Sequence, residues 1–149
     1  MISKNEILSI ARESLEKFNL KAEIKFLPYR EFIQVAKRSP IISKALKEGN
    51  TFDELNIPAL IYHEKRDHIY LSEEILKKLI DNEPITIQRR FIKSVLYHEI
   101  FHILYKKKMV NLNFDSALNQ EDLINFKFKR EYPALEALGR RISKRYLNF

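Results

Sequence analysis

The sequence predicts an α+β fold in which a small sheet containing an antiparallel pair of strands packs on one long helix, and a further helix closes the chain. Three observations lead there. Apolar and charged residues alternate from Lys21 to Leu27, the period of a strand with one buried face, and Ile57 to His63 and His68 to Leu71 are short strand-like runs on either side of a polar turn. Apolar residues recur at helical spacing through most of the remainder, above all from Ile87 to Lys108. The chain has 149 residues, 45% of them hydrophobic, and only two glycines, which suits one unit over residues 1–149 without long linkers. Within it, residues 1–108 should form an α/β part ending in the long helix and 109–149 a helical part.

Taken in order, Ser3 caps an opening helix that places Ile7, Leu8, Ala11, Leu15 and Phe18 at helical spacing, with Glu6 as capping-box partner. Ala22, Ile24 and Phe26 then alternate with charge until Pro28 stops the strand. Tyr29 to Arg38 and Ile41 to Glu48 read as two short helices broken at Ser39-Pro40, the second closed by Gly49-Asn50, and both should pack beside the sheet. Ile57 to His63 and His68 to Leu71 flank the polar turn Glu64-Lys65-Arg66-Asp67, which predicts a β-hairpin. Ser72 caps a helix over Glu73 to Ile80, with two acidic residues in the first turn where the helix dipole favours them. Asp81-Asn82-Glu83-Pro84 ends it, and the long helix follows. Beyond Lys106-Lys107-Lys108 the stretch Met109 to Lys129 is mixed and polar, with a short helix expected around Gln120 to Phe126. Glu131 to Leu147 is expected as a final helix, Pro133 in its first turn and Leu135, Leu138, Ile142 and Tyr146 along one stripe.

Composition narrows the chemistry. There is no cysteine, so neither disulfides nor thiolate ligands are available, and a transition-metal site must use imidazole and carboxylate. No run approaches the roughly 18 to 20 apolar residues that cross a bilayer, so no membrane insertion is expected. The start Met1-Ile2-Ser3-Lys4-Asn5-Glu6 lacks the apolar segment of a signal peptide, and the expected location is cytoplasmic. The net charge of +7 is spread along the chain and reads first as a solvated surface, with nucleic acid as a partner unsupported by any motif.

The chemistry-bearing stretch is His98-Glu99-Ile100-Phe101-His102 inside the long helix. Histidines four apart project from one helical face about one turn apart and can share one metal ion. Zinc held there lowers the pKa of its water toward about 7. Glu99, one position round, can take the proton and later deliver it to a leaving amine, which is hydrolysis of a peptide bond. Ile92, Leu96, Ile100 and Ile103 recur on another side and should anchor the helix. Catalytic zinc usually takes three protein ligands. His63 and His68 bracket the hairpin turn and suit the rim of a cleft better than the metal, which leaves the downstream carboxylates Glu121, Asp122, Glu131 and Glu136.

His98-Glu99-Ile100-Phe101-His102 followed by Lys129-Arg130-Glu131-Tyr132-Pro133-Ala134 resembles the gluzincin metalloproteases, whose third ligand is a glutamate on a separate downstream helix. The small soluble minigluzincins are nearest in size. Glu131-Tyr132-x-Ala134 is similar to the Glu-x-x-Ala element of HtpX-like, CAAX-prenyl-type and ImmA/IrrE-like proteases. The resemblance implies a zincin-like catalytic domain with a C-terminal glutamate helix, one zinc ion on His98, His102 and Glu131, and Ala134 packed closely against the motif helix. Leu135 stands where those families carry Asp or Asn. Glu136 is the alternative ligand, although it also lies four residues before Arg140 and suits an ion pair with it. Glu121 resembles the thermolysin spacing and lacks the alanine context.

The resemblance further implies a strand edge beside the zinc that holds an extended peptide or protein substrate, with His68 to Leu71 or its hairpin partner as that edge. Tyr132, Tyr105, His63 and His68 are the candidates to stabilise an oxyanion, none of them singled out. The expected function is a zinc-dependent metallopeptidase with Glu99 as general base and acid. The alternative is a zincin-fold regulatory or DNA-associated module that acts by binding or by cutting one dedicated partner protein. The tail Lys144 to Phe149 either completes the last helix or lies in the cleft as an inhibitor.

Overall fold

The computed structural model describes residues 1–62, 67–109 and 117–143, and within them the first helix, α1 (Lys4–Lys17), begins where its cap demands. Ser3 Oγ accepts from the Glu6 backbone N–H at 3.1 Å. Only half of the expected capping box forms, because the Glu6 carboxylate turns instead to Arg89, 2.7 Å away. Asn19 closes the helix in the left-handed region at φ 52°, so that the N–H groups of Asn19 and Leu20 reach back to the Glu16 and Leu15 carbonyls at 3.0 and 2.9 Å.

The sheet has three strands, β1 (Glu23–Phe26), β2 (Ala59–Tyr62) and β3 (His68–Leu71), in the order β1-β3-β2. β2 and β3 pair antiparallel with Ala59 opposite Leu71 and Tyr62 opposite His68, as expected of the hairpin. His63 and the rest of the turn to Arg66 lie outside the described residues. β1 pairs parallel to β3, with Glu23 opposite His68. A parallel pair needs a crossover connection, which α2 (Tyr29–Ala36), α3 (Pro40–Lys47), the short α4 (Phe52–Leu55) and β2 supply. β3 is therefore bonded on both sides and cannot be an edge that receives a substrate strand, which corrects that part of the expectation. Among the described residues, the free edges belong to β1 and β2.

The punctuation follows the sequence. Gly49, at φ 97°, ends α3 and lets the Asn50 N–H and Nδ2 both donate to the Ala45 carbonyl, at 3.3 and 2.9 Å. Buried Ser72 caps α5 (Glu73–Ile80): its Oγ accepts from the Ile75 N–H at 3.3 Å while its own N–H donates to the Pro58 carbonyl at 2.9 Å.

The hub is α6 (Ile85–Met109), 25 residues long and packed against α1, β2 and two later helices. From Phe91 to Ile103 every residue except Lys93 and His102 is buried. The anchor residues Ile92, Leu96, Ile100 and Ile103 sit in the main core with Ile7, Ala11, Ile69, Leu71 and Leu76, where truncating one leucine or isoleucine to alanine costs about 2–5 kcal/mol.

Beyond α6 the structure departs from the expected boundaries. A single helix, α7 (Ala117–Glu131), replaces the short one expected over Gln120 to Phe126, and α8 (Pro133–Ser143) follows directly. Tyr132 joins them: its N–H donates to the Phe128 carbonyl at 2.8 Å, and its own carbonyl accepts from the Glu136 N–H at 3.0 Å. Pro133 takes the first position of α8, where its missing N–H costs nothing. Glu131 therefore ends one helix and does not begin the next. α8 lies against α6 at Gly139, where an added Cβ would collide with Ser94 Oγ, itself donating to the Leu135 carbonyl at 2.6 Å. Gly139, not Ala134, gives the close approach, since Ala134 is exposed. Tyr146 and the tail Lys144 to Phe149 lie outside the described residues.

Candidate metal centre

α6 presents His98 and His102 one turn apart, their rings nearly parallel at 13° with centroids 5.1 Å apart. The Glu121 carboxylate lies across both, Oε1 at 3.0 Å from His98 Nε2 and Oε2 at 2.9 Å from His102 Nε2. One nitrogen or oxygen from each of the three lies within 4.8 Å of the others, and this is the group able to hold a metal ion among the described residues. Two imidazoles and a carboxylate are the donors zinc accepts when thiolates are absent, and three protein ligands leave a coordination position open. The residues present therefore fit the metal.

The environment favours a charged carboxylate. Burial pushes the Glu121 carboxyl up, but the His102 imidazole, through its charge and its hydrogen bond, and then His98 outweigh it and hold the group well below the usual carboxylate range. His98 and Glu99 are 8% and 5% exposed. Phe128 stands beside His98, ring centroids 6.1 Å apart, and with Ile124, Tyr97 and Phe101 forms the aromatic core that seats α7 on α6.

Glu121 reaches the histidines because Ile124 and Phe128 occupy the same side of α7, three and seven residues on. Glu131 is ten residues beyond Glu121, about 15 Å along the axis of a helix that rises 1.5 Å per residue. The structure does not bring it to the histidines. Its carboxylate accepts from the Tyr105 hydroxyl at 3.3 Å, and burial, then the Glu131 charge, push the Tyr105 phenol up. Glu136 takes the surface role foreseen for it, accepting from Arg140 Nε and Nη2 at 3.1 and 3.2 Å, and Asp122 is exposed. His68 stands on β3 with Glu23 Oε2 2.8 Å from its Nε2 and its ring stacked on Tyr70. Tyr132 is packed among Phe18, Tyr97, Phe101 and Phe128.

The signal that would have favoured Glu121 is the spacing Ile124, Phe128, Tyr132, an apolar stripe at i, i+4, i+8 that extends α7 through the polar stretch and sets the phase of its carboxylates. Comparison of the chain with protein-family models, with curated proteins and with solved structures finds no match in any of the three.

Proposed function

We propose that the chain is a zinc-dependent metallopeptidase whose metal is held by His98, His102 and Glu121, the last in place of Glu131. The observation that carries this reading is the Glu121 carboxylate spanning both Nε2 atoms of an HExxH pair. Bound there, zinc supplies Lewis-acid polarisation of a carbonyl and a water acidic enough to attack it near neutral pH. His98 and His102 would hold the ion through imidazole nitrogens from one side of a buried helix, and Glu121 would add the negative charge that favours a dication. Glu99, next to His98 and 5% exposed, serves as the proton carrier: its carboxylate accepts the proton of the attacking water and returns it to the amine that leaves. The substrate is a peptide or protein taken as an extended strand, and β2, packed on α6 and with a free edge among the described residues, is the edge suited to receive it.

A second reading draws on the same burial. With the general base almost covered, the enzyme acts as a cytoplasmic regulator on one dedicated protein partner and is slow on generic peptides. The test of the metallopeptidase is metal analysis paired with cleavage. Protein purified at neutral pH should hold close to one zinc per chain. A chelator should remove the zinc together with peptidase activity, and added zinc should restore both. Protein that binds no zinc, or cleaves equally well without it, overturns the proposal.

A further inference from the structure

A second feature lies 100° round α6 from the histidine face, on the side of Tyr97. Lys17 Nζ sits 5.5 Å from the Tyr97 ring centroid and 5.1 Å from that of Tyr132, and Lys93 Nζ sits 5.5 Å from Tyr97. The two tyrosines meet edge to face at 5.0 Å with Phe18 against both. Three elements thus converge: the end of α1, the middle of α6 and the joint between α7 and α8. Arg90 stands one turn before Lys93 on α6, and Lys129 one turn before Tyr132 on α7.

These four cations differ from several arginines around them in lacking a compensating carboxylate. Nearby Arg89, Arg140 and Arg141 are paired with Glu6, Glu136 and Glu83 at 2.7, 3.1 and 3.8 Å. Lys17, Arg90, Lys93 and Lys129 have no carboxylate within ion-pair distance among the described residues, and all four are exposed. Between Gln88 and Ile103 the exposed residues of α6 are Arg89, Arg90 and Lys93, every one cationic. These four add positive charge around the Tyr97–Tyr132 pair, within a net charge of +7 that is spread along the chain.

We propose that this face, Lys17, Arg90, Lys93 and Lys129 over the Tyr97–Tyr132 floor, binds the phosphate backbone of duplex nucleic acid, separately from the metal centre. The chemistry selects that partner. A protein interface draws its energy from an exposed aromatic or apolar anchor that enters a pocket, and here the floor offers none: Tyr97 is 1% exposed and Tyr132 is half-buried beneath Lys17. Base stacking on a single strand needs accessible ring faces, and those of Tyr97 are covered for the same reason. A duplex backbone needs only unpaired cations spread over a rigid surface, and reading no base edges makes the binding indifferent to sequence.

The experiment is fluorescence anisotropy of a labelled 20-base-pair duplex with the full chain between 50 and 200 mM salt. Four phosphate contacts give a slope of log affinity against log salt of about −3.6. Each of Lys17→Ala, Arg90→Ala, Lys93→Ala and Lys129→Ala should lower that slope by about one, whereas Arg30→Ala on α2, at an exposed position in another part of the fold, should leave it unchanged. Circular dichroism and thermal unfolding of each variant verify that the fold is intact, and neither zinc nor peptidase activity plays a part, so this inference and the metallopeptidase reading fail independently. No binding at 50 mM salt overturns it, as does binding that the four substitutions leave unaltered. Tighter binding of polyglutamate or of anionic lipid vesicles than of the duplex, lost with the same substitutions, assigns the face to another partner and overturns it equally.

Discussion

Replacing Glu99 with glutamine should leave zinc in place and stop cleavage. The exchange keeps the shape and removes the basic carboxylate, so loss of proton transfer should cost about 10²–10⁴ in kcat with zinc content near one per chain. The variant should also keep the wild-type melting temperature within a few degrees, because Glu99 is buried on a helix fixed by Ile92, Leu96, Ile100 and Ile103. Stopped assays on a fluorogenic peptide, beside metal analysis of the same preparation, read both quantities. Cleavage at the wild-type rate by the zinc-loaded variant would exclude Glu99 as the proton carrier.

The second large effect separates the two glutamates. Glu121→Ala should weaken zinc by more than the 10- to 100-fold that loss of an outer-shell partner typically brings, because it removes a ligand outright. Glu131→Gln should leave zinc affinity within about twofold, since its side chain engages Tyr105. Competition against a chromogenic chelator measures both constants under one set of conditions. Should Glu131→Gln strip the metal while Glu121→Ala keeps it, the ligand set proposed here is wrong. The metal-free protein gives a further handle. The folded Glu121 carboxyl titrates below its unfolded value, so it adds stability above about pH 4.3. That contribution fades as pH falls through the lower, folded value, and Glu121→Ala should flatten the acid limb of a stability profile.

Much of the architecture was legible because it is written in local chemistry. Ser3 and Ser72 cap the helices they precede, Gly49-Asn50 closes α3, and the spacing of Ile92, Leu96, Ile100 and Ile103 marks the buried side of α6. His98, Glu99 and His102 follow from spacing on that helix. The parallel pairing of β1 with β3 joins residues 45 apart, and nothing in four-residue strands names a partner at that range. α4 is a single turn, too short for periodicity to register. The third ligand was misplaced for a physical reason: Pro133 signals a helix start, and Glu131 stands just before it, so that it reads as part of the following helix. The tyrosine between them closes α7 instead, and the alanine context that favoured Glu131 sits on an exposed residue. Helix phase, fixed by Ile124 and Phe128, decided which carboxylate faced the histidines.

Burial of α6 on nearly all sides also orders the molecule in time. Amides along Phe91 to Ile103 can exchange with deuterium only when surrounding elements have left, so they should be the slowest in the chain and report global unfolding. α7, in which Ile124 and Phe128 are the buried residues among those described, should open at lower free energy and protect more strongly when zinc is added. Two of the three proposed ligands would then belong to the last region to unfold and the third to an earlier one, so metal would escape through excursions of α7 while the histidines stay in register. Hydrogen exchange with and without zinc, followed by mass spectrometry of the two helices, would see this as protection gained on α7 and none on α6.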